Sequence, residues 1–102
     1  MIGGEPGAEL REQVLIVQGE VSATNVLPLR SQGEALIASA KSDLVVDLQG
    51  LESAHSVVLS MLLCWHRLAS ERGFSLSFRG ANEGLLSLAA LSNLEDWLQS
   101  RP

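Results

Sequence analysis

Residues 44–72 constrain the fold more than any other part of the chain. Leu44-Val45-Val46-Asp47-Leu48 is an apolar run of strand length. Gly50 turns the chain, and residues 51–55 form a short loop with several polar side chains. From Ser56 to Arg72 the apolar residues recur at helical spacing. A strand that runs straight into a long helix has no hairpin to return by. It needs a crossover, which lays the next strand parallel to it. This unit predicts an α/β fold around a mixed sheet.

The helix within it has an unusual surface. Val58, Leu62, Trp65 and Ala69 share one face, while Ser60, Cys64, Arg67 and Glu71 line the opposite stripe. The flanks are apolar as well: Val57, Met61 and Leu68 on one side, Leu59 and Leu63 on the other. That sector is wider than one sheet requires. Either the helix is wedged between two neighbours, or one flank awaits a partner. Ser56 stands where the helix begins. A hydroxyl there caps free backbone N–H groups and is displayed in the positive field of a helix N-terminus. Its role is cap alone, or cap and contact point together.

The remaining segments complete the pattern. Residues 1–7 carry three glycines and a proline and read as a flexible lead-in, followed by one domain over residues 8–102. Ala8 to Glu12 is an edge strand, joined through Glu12-Gln13 to Val14-Leu15-Ile16-Val17. Thr24 or Asn25 caps a helix whose first turn contains Pro28 and whose inner positions are Leu29, Gly33, Leu36, Ile37 and Ala40. Gly33 would allow close approach to the sheet, at a cost of about 1 kcal/mol in helix propensity. Gly73 ends the long helix as its C′ residue. Ser75 to Arg79 alternates as a half-buried strand, and Asn82 caps a helix carrying Leu85, Leu88, Ala89 and Leu91. Asn93 closes that helix in the left-handed conformation, and Leu94, Trp97 and Leu98 tuck back a short tail. The expected order is ββαβαβα, with about four strands and three main helices.

Charge and composition narrow the function. Seven basic and twelve acidic residues give a net charge of −5, and Lys41 is the sole lysine. Phosphate binding needs clustered cations, so nucleic acid and anionic lipid surfaces are poor partners. The longest nearly apolar run, Val57 to Trp65, is too short to span a bilayer, and no signal peptide is seen at the start. Cys64 is the one cysteine, which permits a reducing compartment. A cytoplasmic module without direct membrane insertion, docking on a protein, is expected.

The side chains offer little for catalysis. His55 and Ser56 are adjacent, so they diverge and do not form a nucleophile–base pair. His55 and His66 lie far apart without companion ligands, so no metal site is expected. No phosphate-binding glycine loop follows a strand, so no cofactor is expected either. Asp47 reads as a turn carboxylate, His66 as a structural histidine, Cys64 as an inert thiol, and Trp65 and Trp97 as core or tail anchors.

The stretch Leu44 to Leu48, then Leu51-Glu52-Ser53-Ala54-His55-Ser56-Val57-Val58-Leu59, then Leu62-Leu63, Leu68-Ala69 and Gly73, resembles a STAS domain. So do Val17 to Val21 and the tail from Gly80 to Leu94, so that residues 10 to 98 take part. This fold is shared by anti-sigma-factor antagonists, sulphate-transporter tails and the STAS subunits of bacterial ABC-type phospholipid transporters. The last group is the most similar. The resemblance implies a non-enzymatic subunit that binds the ABC ATPase and, through it, a membrane permease, in a system that maintains outer-membrane lipid asymmetry. It places the contact edge at Ser53, Ala54, His55, Ser56, Val57, Leu59, Ser60 and Met61. In antagonist STAS domains an acidic residue, a phosphorylated hydroxyl and a glycine mark the helix start. Those positions fall here on His55, Ser56 and Val57, and two of the three differ. The alternative implied is an antagonist switched by phosphorylation of Ser56.

Overall fold

The computed structural model describes residues 6–52 and 55–99. Strand β1 (Gly7–Arg11) forms a hairpin with β2 (Val14–Gly19), with Arg11 opposite Val14. Glu12 takes up the reversal at φ 55°. Gly7, expected in the lead-in, already pairs with Gln18. Helix α1 (Val26–Ser39) leads to β3 (Leu44–Leu51), and α2 (Ser56–Glu71) leads to β4 (Leu76–Arg79). Helices α3 (Glu83–Leu91) and α4 (Glu95–Gln99) follow. The sheet order is β1-β2-β3-β4, with β1 antiparallel and the other neighbours parallel. The α/β architecture, the four strands and the order ββαβαβα are those expected; the tail adds α4.

Register decides which side chains are buried. Leu15, Val17, Val46, Leu48, Leu76 and Phe78 point to one face and are buried there. Helices α1 and α2 cover that face, as two successive crossovers of the same hand require. From α1, Leu29, Gly33 and Ile37 are buried; from α2, Val58, Leu62, Trp65 and Ala69 are fully covered. Gly33 faces the indole of Trp65, so a Cβ at that position would overlap the ring. The close approach predicted for this glycine is therefore to α2 and not to the sheet. The indole N–H donates to the Arg30 carbonyl at 3.1 Å, which fixes the ring in the notch.

Helix ends follow their local chemistry. Gly73 at φ 89° allows its own N–H to bond Ser70 O and that of Phe74 to bond Ala69 O, a Schellman ending of α2. Asn93 at φ 60° does the same for α3, with Leu94 N bonding Ala89 O at 2.7 Å. Asn82 Oδ1 accepts from Leu85 N at 2.8 Å and caps α3. Asn25 precedes α1 but makes no cap bond to it. Its Oδ1 accepts from Ser22 N and its Nδ2 donates to Glu20 O, so it braces the loop instead. Strand β4 departs from the half-buried expectation, because Ser77 is buried along with Leu76 and Phe78. The tail helix packs along this edge strand, with Trp97 meeting Phe78 edge-on at 4.7 Å and His66 at 5.8 Å. Among the described residues no helix is long and apolar enough to cross a membrane.

Candidate functional site

The parallel strands β2, β3 and β4 all deliver the chain to the same end of the sheet, where α1, α2 and α3 begin. The base of the loop before α2 is fastened at that end. Glu52 N donates to Gly19 O at 2.9 Å, and Asn82 Nδ2 reaches Leu51 O at 3.5 Å. Ser53 and Ala54, expected at the contact edge, lie outside the described residues.

His55 is the N-cap of α2, with extended backbone (φ −103°, ψ 151°), and its own side chain makes no cap hydrogen bond. Ser56 is therefore the first helical residue, one position too late to cap. The capping role expected for it is not the one it plays. Its hydroxyl is exposed, makes no hydrogen bond among the described residues, and stands at a helix end whose first turn has no acidic residue. The partial positive charge of that end is left uncompensated by the helix itself. Asp47, expected as a turn carboxylate, lies instead within β3: Oδ1 accepts from Gln49 N of the same strand at 2.9 Å, and Oδ2 accepts from Arg79 of β4 at 3.1 Å.

The expected contact residues separate into two sets. His55, Ser56 and Ser60 are exposed, and Val57 is half-buried. Leu59 is 5% exposed and Met61 1%, both within the core cluster. The expectation of an accessible apolar flank at Met61 is thus corrected, because the flanks of α2 face α1 on one side and the α3–α4 pair on the other. The wide apolar sector belongs to a wedged helix. Spacing alone passed over Leu63 and Arg67 as contact residues. Ser56, Ser60, Leu63 and Arg67 follow i, i+4, i+7, i+11 and form the outward stripe, about 16 Å long at 1.5 Å per residue. Leu63, 39% exposed, is the large apolar side chain on that stripe; Leu27 and Leu91 are the other exposed ones among the described residues. Counting from Ser56 rather than from Ser60 would have found it.

No group of three His, Cys, Asp or Glu able to hold a metal occurs among the described residues. Cys64 is half-buried on α2. His66 packs against Trp97, and its Nδ1 is buried without a partner among the described residues.

The comparisons with known proteins agree with this architecture. A family model described as "Mlab, STAS domain" matches residues 6–100. The chain therefore belongs to this family of STAS domains. Among solved structures, a chain of the Acinetobacter MlaFEDB complex in its ATP-bound Vtrans2 conformation is 29% identical. The match has a TM-score of 0.79 and covers 90% of this chain and 97% of that one. An anti-sigma-factor antagonist from Mycobacterium paratuberculosis is 26% identical, with a TM-score of 0.67 and coverage of 93% and 81%. The unphosphorylated antagonist SpoIIAA shares the fold at 14% identity, with a TM-score of 0.72 and coverage of 90% and 84%. No curated protein matches the chain in sequence.

Proposed function

We propose that this domain is the non-enzymatic STAS subunit of an ABC-type phospholipid transporter of the Mla kind. It seats the outward stripe of α2 on the ATPase subunit and reaches the membrane permease through it. On this reading it works on the cytoplasmic side of the inner membrane, and it supports assembly or activity of the ATPase without chemistry of its own. The observation that carries the proposal is the stripe itself. Ser56, Ser60, Leu63 and Arg67 are exposed along the longest helix among the described residues, whose start is not capped by the His55 side chain. A lone apolar side chain among small polar ones and a guanidinium suits the centre of a modest protein contact. The likeness to a chain of the MlaFEDB complex gives the kind of partner.

Co-expression with the ATPase and permease subunits of the same system tests this. Ser56→Arg and Leu63→Asp should each abolish co-purification while far-UV circular dichroism stays native. Val57 is a poor choice for such a test, since it packs against the core. Normal assembly of both variants would refute the surface.

A second reading has its own observation. The Ser56 hydroxyl is exposed and makes no hydrogen bond among the described residues, as a phosphoacceptor requires. An anti-sigma-factor antagonist would gain the mass of one phosphate at Ser56 when incubated with its cognate kinase and ATP. An unmodified chain in that assay, with a chain that co-purifies with the ATPase, leaves the transporter reading standing.

A further inference from the structure

The sheet has a second face, turned away from α1 and α2. Register places two rows of side chains across it: Arg11, Val14, Val45 and Ser77, then Glu9, Ile16, Asp47 and Arg79. Val14, Ile16 and Val45 are half-buried and do not belong to the core cluster, unlike their strand neighbours Leu15, Val17 and Val46. Among the described residues no helix is laid over Val14 and Ile16, whereas Ser77 at the β4 edge is buried and Val45 borders the groove beside Leu98. Ion pairs bracket Val14, Ile16 and Val45: Arg11 with Glu9 at 2.6 Å beside β1, and Arg79 with Asp47 at 3.1 Å beside β4. Two cations and two anions make these two rows neutral, on a chain whose net charge is −5. It is a place where two acidic copies could meet without like charges opposed.

We infer that this face takes a second copy of the chain, about a two-fold axis parallel to the strands. That axis lays β1 of one copy over β4 of the other. Glu9 then faces the partner's Arg79, and Arg79 the partner's Glu9, while Val14 faces the partner's Val45. Aligned sheets pack about 10 Å apart in this manner. Asp47, opposite the partner's Ile16, enters with its carboxylate already bonded to Arg79 and Gln49 N. An axis across the strands would also oppose unlike charges, but it stacks β4 on β4. Helix α4 stands beside that strand, bordering a groove of about 610 Å³ between Val45 and Arg79 on one wall and Leu98 and Gln99 on the other. The strand-parallel axis keeps the two α4 helices apart and lets β1 of the partner enter that groove. The α2 stripe lies on the opposite side of the domain. The pair would therefore present both stripes outward, and the inference does not rest on the transporter reading.

The test is charge exchange on the full chain, read by analytical ultracentrifugation over a concentration series. The wild type should show a concentration-dependent monomer–dimer equilibrium. Glu9→Arg sets a second guanidinium against the partner's Arg79, and Arg79→Glu sets a second carboxylate against the partner's Glu9. Each variant alone should weaken dimerisation at least tenfold. An equimolar mixture of the two should recover it, because the mixed dimer pairs the two wild-type side chains at one contact and the two exchanged ones at the other. Val14→Gln, which touches no ion pair, should also weaken the dimer. A wild type that stays monomeric up to its solubility limit overturns the inference. So does a mixture that fails to recover, with both variants natively folded by circular dichroism.

Discussion

Replacing Gly33 by alanine should destabilise this domain, although the same change in an exposed helix would stabilise it. In an open helix, alanine gains about 1 kcal/mol over glycine. Here a Cβ would overlap the six-membered ring of the Trp65 indole, which is fully buried and hydrogen-bonded to the Arg30 carbonyl. The ring cannot retreat into the sheet, because Trp65 sits within a closed core cluster. Overpacking of this kind costs about 1–3 kcal/mol. Displacing the indole also loses a hydrogen bond worth about 0.5–1.5 kcal/mol. After subtracting the gain in helix propensity, the net destabilisation is about 0.5–3.5 kcal/mol.

Urea unfolding followed by far-UV circular dichroism measures this, and thermal melting checks it at about 4–8 °C per kcal/mol for a domain of this size. The sign is the decisive result. A gain of about 1 kcal/mol, as propensity alone requires, would refute the packing argument. A second comparison isolates the cause. Trp65→Phe removes the ring atoms that the new Cβ would meet, so Gly33→Ala in that background should be neutral or stabilising. The difference between the two backgrounds is the coupling energy of the notch. Equal effects in both backgrounds would locate the cost of Gly33→Ala elsewhere.

Two other outcomes follow from helix ends. Asn82→Ala removes the side-chain acceptor for Leu85 N and should cost about 1 kcal/mol in the same urea experiment. Ser56→Ala should leave stability within about 0.5 kcal/mol, since the hydroxyl is exposed and does not cap α2. A loss near that of Asn82→Ala would show that the Ser56 hydroxyl caps after all.

Much of the fold is legible in the chain because its element ends carry their own chemistry. Gly73 and Asn93 adopt the left-handed conformation their positions require, and Asn82 caps the helix it precedes. The Glu12-Gln13 reversal and the Leu44–Leu48 part of β3 are equally local, but Gly50, expected to turn the chain, continues the strand to Leu51 by pairing with Gln18. Tertiary facts were less legible. The neighbour of Gly33 is Trp65, far along the chain, and no local pattern names it. Ser77 looks half-exposed by alternation, yet it is buried in an edge strand that carries the short tail helix alongside it. Asn25 has the right residue type for a cap, but its side chain commits both polar atoms to the preceding loop.

The start of α2 shows why the site was the hardest part to place. A one-residue change in where the helix begins turns Ser56 from a cap, with its oxygen bound to the backbone, into an exposed hydroxyl. The same geometry decides which flank faces outward. An apolar sector spanning Val57 to Leu68 is compatible with an open docking flank or with two covering neighbours, and sequence spacing does not separate them. Trp97 separates them. By packing on both His66 and Phe78, it draws the tail beside α2 and closes the flank that includes Leu59, while the Trp65–Gly33 notch holds α1 on the other side. With both flanks taken, the exposed surface of α2 among the described residues is its outward side, and on the proposed function a partner meets it along the stripe from Ser56 to Arg67. Leu63→Asp should then break that contact, whereas Met61→Asp should unfold the domain before any partner is involved.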